Sequence, residues 1–338
     1  WQYDNPGAEV TMNIPKSLLK GSDGQTFESR LDLARWIVSD QNPLTARVIV
    51  NRFWHQFFGR GVVKTLEDFG SQGAPPTHPR LLDWLAVEFR SNDWDVKALV
   101  ELLVTSSTYM QDSYVSETHL RQDPENIWLG RASRLRLPAE TLRDQALAVS
   151  GLLNGKIGGP SVKPYQPEGL WKEIASQAYD QGTGEDLYRR GMYTFWKRTV
   201  PPPTMVTFDA SSREICVLSR SRTNTPLQAL VLLNEVSYVE AARNLAQQMM
   251  LTEKSPAARL RWGWRQVTSR EPSDYEVSVL ANSLQRNLKR YAADSDAAKE
   301  LVSFGESIPA ADLDVSELAA YTAVASMLMN LDEVINRE

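Results

Sequence analysis

Apolar residues recur along most of this chain at intervals of three and four, the spacing of one face of an α-helix. Within 28–39, for example, Leu31, Ala34, Ile37 and Val38 fall on one side. The same spacing predicts helices over 28–39, 79–90, 96–106, 139–150, 226–250, 256–268, 273–292 and 315–335. We therefore expect a mainly α-helical protein.

Several predicted helices begin where a capping residue precedes proline, which loses no hydrogen bond at the first helical position. These pairs are Asn42-Pro43, Asp123-Pro124, Thr225-Pro226 and Ser255-Pro256. Gly151 follows the predicted helix 139–150, as a glycine commonly does at a helix end. The segment 226–250 is apolar on several sides, so we expect one long central helix there.

The middle of the chain, 152–222, is rich in glycine and proline and lacks helical periodicity. Only 188–199 has strand-like composition, so we expect at most a small β element. Long irregular segments within compact domains are often functional or linking, although this one could also be a packed surface excursion. The predicted organisation is an N-terminal extension over 1–26 and one helical domain over 27–338, with 152–222 as an irregular insertion.

Composition excludes several classes of protein. The 338 residues carry a net charge of −5, whereas a nucleic-acid-binding domain usually has a strongly basic face. No stretch approaches the roughly 20 apolar residues of a membrane span. The single cysteine, Cys216, excludes an internal disulfide and a multi-thiolate metal site, and we expect it to be buried. The chain begins at Trp1, so we interpret it as part of a longer polypeptide.

The run 42–70 holds the first candidate site. Arg47, Asn51 and His55 are spaced by four, so they form a polar row beside a broad apolar sector. Such a row can face a cleft, with His55 as a general base or hydrogen-bond donor. Alternatively, it can tie loop carbonyls together. Asp68 is a second catalytic candidate, and the alternative is an ion pair with a nearby arginine such as Arg47.

A second group of candidate residues lies near the predicted start of the helix at Pro226. Helix N-termini attract anions, and Arg222 and Asn224 precede this start, so we expect them to bind a ligand together with Arg47 and Asn51. An acidic residue such as Asp209 is the alternative partner. Trp196 lies in the irregular middle, where its ring can stack on a sugar or pin a loop.

The sequence predicts no metal site and no cofactor. Its three histidines include no pair at helical i,i+4 spacing, the arrangement that marks many zinc sites. No Cys-x-x-Cys-His sequence is present for covalent haem. The turn Gly158-Gly159-Pro160-Ser161 lacks the Lys-Ser/Thr that completes a phosphate-binding loop.

The order of these motifs resembles the planctomycete-specific C-terminal domain, a family of unknown function. The resemblance covers about residues 27–245 and, more loosely, the final residues SMLMNLDEVINRE. The motifs that carry it are LARWIVSDQNPLTARVIVNRFWHQFFGRGVVKTLEDFG, HPRLLDWLAVEF, SRLRLPAETLRDQALAVSG, GGPSV, YRRGMYTFWKR and TNTPLQALVLLN. The resemblance implies an exported, periplasmic setting within large polypeptides that carry c-type cytochrome-like and carbohydrate-binding-like domains. It implies no reaction.

Three functional hypotheses follow. The first is a module that docks onto or scaffolds the parent's cytochrome-like domains. The second is an enzyme or binding domain for polysaccharide-derived ligands, sulfated ones included, which uses the middle loops with Arg47, His55 and Arg222. It predicts one concave site where these loops converge with exposed aromatic side chains. The third is a redox partner that receives electrons from an attached cytochrome and has no cofactor of its own.

Overall fold

The computed structural model of the chain describes residues 4, 7, 12–18, 27–174 and 178–337. Within these ranges the chain forms fifteen α-helices and one antiparallel pair of strands, each two residues long. The predicted mainly α-helical class with a small β element is confirmed. Most of the predicted extension 1–26 lies outside the described residues. None of the described helices combines the length and apolar character needed to cross a bilayer.

The chain divides into two compact units, Trp1–Ser133 (unit 1) and Arg134–Glu338 (unit 2), and each is described by itself. Compact units within one chain do not by themselves show independent folding, so the single helical domain over 27–338 stays a prediction.

The helices of unit 1 share one apolar cluster. Its helices are α1 (Arg30–Ile37), α2 (Thr45–Phe58), α3 (Pro79–Ser91), α4 (Val96–Val104) and α5 (Glu117–Gln122). The buried cluster joins Val50 and Trp54 of α2 to Leu85 of α3 and Leu103 of α4. Helix α2 ends at Gly59, whose left-handed φ of 76° suits glycine.

Unit 2 is centred on two long helices that pack along each other, α10 and α14. Its elements are β1 (Leu135–Arg136), α6 (Ala139–Val149), α7 (Leu170–Ile174), α8 (Pro203–Thr207), α9 (Pro226–Asn234), α10 (Val236–Thr252), α11 (Pro256–Thr268), α12 (Asp274–Ala293), α13 (Ser295–Val302), α14 (Val315–Met329), α15 (Asp332–Ile335) and β2 (Asn336–Arg337). Ala242 and Ala246 of α10 and Ala319 and Ala320 of α14 are completely buried. These small side chains let the two backbones approach closely.

Several sequence predictions are wrong in detail. The predicted helix 315–335 is two helices, α14 and α15, and α2 begins at Thr45 and not at Pro43. The predicted helix 226–250 is two helices, because Glu235 is extended (φ −73°, ψ 136°) and its carboxylate caps α10 at the N–H of Ser237. Asp123-Pro124 does not begin a helix, because Asp123 ends α5 and its carboxylate accepts the N–H groups of Ile127 and Trp128.

The strand predicted over 188–199 is replaced by a short 3-10 helix, Gly191–Tyr193, and by single-residue bridges such as Val162 to Thr194. No second strand lies alongside this segment among the described residues, so its β-favouring composition has no ladder to join. Cys216 is exposed instead of buried.

The hydrogen bonds between Asn51 and Val63 in unit 1 can be tested by substitution. Its buried amide donates to the carbonyl oxygen of Val63 (3.0 Å) and accepts from the Val63 N–H (2.9 Å). We expect Asn51→Ala to lower the free energy of unfolding by about 2–4 kcal/mol, because two buried backbone groups lose their partners. Urea denaturation measures this change. The exposed Gln56 on the same helix is the control, and Gln56→Ala should cost less than about 0.5 kcal/mol. Equal losses of unfolding free energy in the two variants would contradict this structural role of Asn51.

Candidate functional site

The predicted polar row on α2 lies in unit 1. Arg47 forms an ion pair with Asp83, with 2.6 Å between Nε and Oδ1, and also donates to the carbonyl of Pro43. Asn51 is held by Val63, and His55 is half-buried on the same helix. Asp68 has an exposed side chain, and its backbone carbonyl accepts from Thr65 Oγ1 (2.7 Å). Roles for His55 and Asp68 in catalysis, and for Arg47 and Asn51 in binding, stay predictions.

The other predicted site residues lie in unit 2. Asn224 accepts a hydrogen bond from Arg136 Nη1 (3.1 Å). Burial is the main cause that lowers the pKa of Arg222, and the neighbouring positive charge of Arg337 lowers it further. Trp196 donates from Nε1 to the carbonyl of Ser212 (3.3 Å). Ligand-binding roles for Arg222, Asn224 and Trp196 also stay predictions.

A cavity in unit 2 joins the irregular middle to the helical core. Its walls are residues 164–166, 179, 194 and 202–205 from the middle, together with α6 and the start of α10. The space within it that a water molecule can enter is about 30 Å³, and the volume reaches about 440 Å³ only when open solvent at its mouth is counted. The middle segment therefore forms part of the wall of this cavity, which does not include Arg47, His55 or Arg222.

Four residues of the cavity wall carry buried polar side-chain atoms without partners. Arg143 Nε, Gln166 Nε2, Thr194 Oγ1 and Tyr238 Oη are buried and have no hydrogen-bond partner among the described residues. Buried polar atoms in proteins are nearly always bonded, and each unsatisfied one costs about 1–3 kcal/mol. Each of these atoms has less than 1 Å² of accessible surface, so a ligand can bond to them only if the surrounding wall moves.

A short relay of hydrogen bonds fixes the charged groups of the cavity. Arg143 Nη1 donates to Ser237 Oγ (3.0 Å), which donates to Glu235 Oε1 (3.1 Å). The other oxygen of Glu235 accepts the N–H of Ser237 (3.0 Å), and Arg143 Nη2 donates to the carbonyl of Leu187. Both terminal nitrogens of Arg143 are thus engaged, while its buried Nε has no partner among the described residues.

Burial controls the protonation of the cavity. It raises the pKa of Glu235, although Arg143 and the hydrogen bonds from Ser237 act in the opposite direction. Burial is also the main cause that raises the pKa of Tyr238, and the negative charge of Glu235 raises it further. The Tyr238 hydroxyl therefore keeps its proton at physiological pH and remains a donor.

Tyr165 connects the cavity to a buried polar network. Its hydroxyl accepts the N–H of Glu306 (2.7 Å), and burial, followed by the charge of Glu240, raises its pKa. Tyr188 donates to Glu240 Oε1 (2.8 Å), which also accepts from the N–H and Oγ of Ser307 (2.7 and 2.6 Å). This network fixes the wall of the cavity that contains Tyr165.

Sequence reasoning missed the cavity, although two signals pointed toward it. Arg143 is a charged residue on the side of α6 that buries Leu142 and Ala146. Glu235 interrupts a long apolar run. No group of three or more His, Cys, Asp or Glu side chains suited to a metal ion occurs in the described ranges.

Fold and site together define a mainly α-helical protein with a small cavity beside an irregular middle segment. The model of the PSD1 family, described as a protein of unknown function (DUF1553), matches residues 29–284. The chain belongs to this family, which confirms the predicted membership in a family of unknown function. No curated protein and no solved structure matches the chain.

Glu235 gives a pH-dependent prediction. Its pKa in the folded chain is raised above the value near 4.3 of an unfolded glutamate. The folded state therefore holds the proton longer, and stability falls as pH rises between the two pKa values. We expect Glu235→Gln, which keeps an accepting oxygen for Ser237, to gain stability relative to the wild type across that interval and to keep the gain at higher pH.

Thermal unfolding from about pH 3.5, below the unfolded pKa, to pH 8 measures this gain. Glu168→Gln, at an exposed glutamate in the middle segment, is the control and should not reproduce the trend. A stability difference between Glu235→Gln and the wild type that stays constant over this range would contradict the prediction.

Proposed function

We propose that this chain is a ligand-binding domain whose unit 2 cavity receives a small oxygen-rich group, such as a sugar unit derived from a polysaccharide. The observation that carries the proposal is the cavity itself, whose wall includes Arg143, Gln166, Thr194 and Tyr238. Sugar hydroxyls both donate and accept hydrogen bonds, so one ring can satisfy several of these groups.

Aromatic side chains at the cavity also support a sugar ligand. Tyr165 and Tyr179 line it, and the ring of Tyr179 lies 5.1 Å from that of Trp171, edge to face. Aromatic faces complement the apolar faces of sugar rings while polar groups bind their edges. The hydroxyl of Tyr179 donates to the carbonyl of Pro164 (2.6 Å), which fixes this ring.

The cellular location and the parent polypeptide are part of the same proposal. The resemblance to the planctomycete-specific domain supports an exported, periplasmic location in a planctomycete-type bacterium. It also supports a parent polypeptide with c-type cytochrome-like domains. A carbohydrate ligand suits such a polypeptide because its other domains include carbohydrate-binding-like ones.

Removal of single hydroxyls tests the ligand site. We expect Tyr238→Phe and Thr194→Val each to weaken binding of a mixture of hydrolysed polysaccharides about tenfold, the value of one hydrogen bond. The melting temperature should stay the same or rise, because each variant removes a buried group that lacks a protein partner. Ligand-observed NMR titration measures the binding, and calorimetry measures the melting temperature.

Tyr275→Phe is the matched control, since Tyr275 is 77% exposed. Binding and melting temperature should both stay at wild-type values. Saccharide binding that is unchanged in Tyr238→Phe and Thr194→Val, or absent in the wild type, would contradict the proposed site.

Docking to other domains of the parent is the second candidate function. On α9, Leu227, Leu230 and Leu233 are 57%, 55% and 45% exposed, and they recur every third residue. Residues at this spacing lie on one side of a helix, and adjacent exposed apolar side chains often mark an interaction surface. We propose the parent's c-type cytochrome-like domain as the partner.

Separate expression of the two domains tests docking. The wild-type chain should associate with the cytochrome-like domain at micromolar concentration, and Leu227→Gln with Leu230→Gln should abolish association by removing apolar area. Analytical ultracentrifugation measures the complex. Leu251→Gln, at another exposed leucine, is the control. No wild-type complex at high micromolar concentration would refute this candidate.

A further inference from the structure

A groove open to solvent lies between α3 and α4 of unit 1. Its walls are formed by Glu88, Phe89 and Asn92 near the end of α3 and by six residues between 95 and 105, at and after the start of α4. The space within it that a water molecule can enter is about 330 Å³, whereas the unit 2 cavity offers about 30 Å³. The groove can therefore receive side chains of another molecule without movement of its walls.

Apolar side chains make up much of the groove and extend beyond it along α3. More of the surface inside the groove is apolar than polar, and Leu102 of α4 is 36% exposed there. Residues 84, 88 and 92 lie on one side of α3 because they are spaced by four, and Trp84 in this row is 51% exposed. The row is about 12 Å long, which is the length of a short helix and not of a single amine.

Three carboxylates border the groove, and its described wall contains no lysine, arginine or histidine. They belong to Glu88 of α3, Asp95 at the N-cap of α4 and Glu101 of α4. Asp95 caps α4 through Oδ1, which accepts the N–H groups of Lys97 and Ala98 (2.8 and 3.1 Å). The backbone carbonyls at the C-terminal end of α3 add partial negative charge. The groove therefore has an apolar surface with a negative border.

The arginines of unit 1 do not neutralise this border. Its described ion pairs use other carboxylates, those of Asp32, Asp40, Asp83, Glu117 and Glu125. The three carboxylates of the groove form no ion pair among the residues that the structure describes. Their charge is therefore available to a cationic group of another molecule.

We propose that this groove is a docking site for a basic amphipathic helix of a partner polypeptide. The apolar side of that helix contacts Leu102 and Trp84, and its lysine or arginine side chains meet Glu88, Asp95 and Glu101. Helices commonly bind in grooves by one apolar face, and complementary charge selects the partner. A second copy of this chain carries a net charge of −5, so charge favours a basic partner over self-association.

Fluorescence anisotropy of the full chain with labelled synthetic helices tests the proposal. The first probe is a peptide of leucine and lysine that has all its leucines on one face. It should bind at micromolar concentration, and its affinity should fall severalfold as salt rises from about 0.05 M to about 0.5 M, because exposed charges are screened. The same peptide with glutamate in place of lysine should bind about tenfold or more weakly.

Glu101→Arg tests the negative border. We expect it to weaken binding of the lysine peptide about fivefold or more, because it removes one attraction and adds a repulsion. The melting temperature should change little, since the side chain of Glu101 is exposed. Glu300→Arg, at an exposed glutamate of α13, is the matched control and should bind as the wild type does.

Leu102→Gln tests the apolar contact without a change of charge. Binding of the lysine peptide should weaken severalfold, because apolar area is lost from the contact. Leu251→Gln, at a leucine that is 54% exposed on α10, is the matched control and should leave binding unchanged.

Other results would overturn the proposal in identifiable ways. Equal binding of the lysine and glutamate peptides would exclude selection by charge, and equal losses in Glu101→Arg and Glu300→Arg would show a general charge effect. Spermidine that displaces the peptide at equal concentration would identify a small amine as the occupant. Self-association of the wild type that Leu102→Gln abolishes, without peptide binding, would identify a second copy. No binding of the lysine peptide at high micromolar concentration would refute the docking site.

Discussion

Burial of charge on α10 is the constraint on which unit 2 depends. Glu240 and Arg243 lie one turn apart with 3.6 Å between Oε1 and Nη2, and their side chains are 1% and 2% exposed. Loss of one partner in such a pair typically costs about 3–5 kcal/mol, because the other charge stays buried. Glu240 therefore needs its bonds from Tyr188 and Ser307. Those bonds attach the middle segment and the loop after α13 to the central helix. A side chain on Gly305 would collide with the Glu240 carboxylate.

The cavity is a consequence of these attachments. The middle segment is fixed at Tyr188 by Glu240 and at Gly191 by Asp144, which accepts the Gly191 N–H. A segment held at such points cannot collapse fully onto α6 and α10, so polar groups between them keep no protein partner. Glu235 shapes the same space from the other side. Its extended backbone turns the chain from α9 into α10 and places Ser237 and Tyr238 at the cavity wall.

Local patterns predicted the helices well and the long-range contacts poorly. Ser255-Pro256 begins α11 and Thr225-Pro226 begins α9, because capping chemistry depends on adjacent residues only. Asn51 was recognised as polar on an apolar helix, but its partner Val63 lies across a turn that no periodicity describes. Glu235 has good helical propensity, so the break between α9 and α10 was invisible until packing was known. The cavity joins α6, the middle segment and α10, and no local spacing connects residues so far apart.

Burial sets the chemistry of the cavity wall more than its polar groups do. More of the wall is apolar than polar, and the chain itself fixes the polar groups that it contains. Arg143 is held by Ser237 and Leu187, and the hydroxyl of Tyr238 keeps its proton because burial raises its pKa. Fixed donors in a low-dielectric site lose little on binding an acceptor, because they need no reorganisation. A ligand of this cavity therefore has to fit an apolar wall first and meet a few fixed polar groups second.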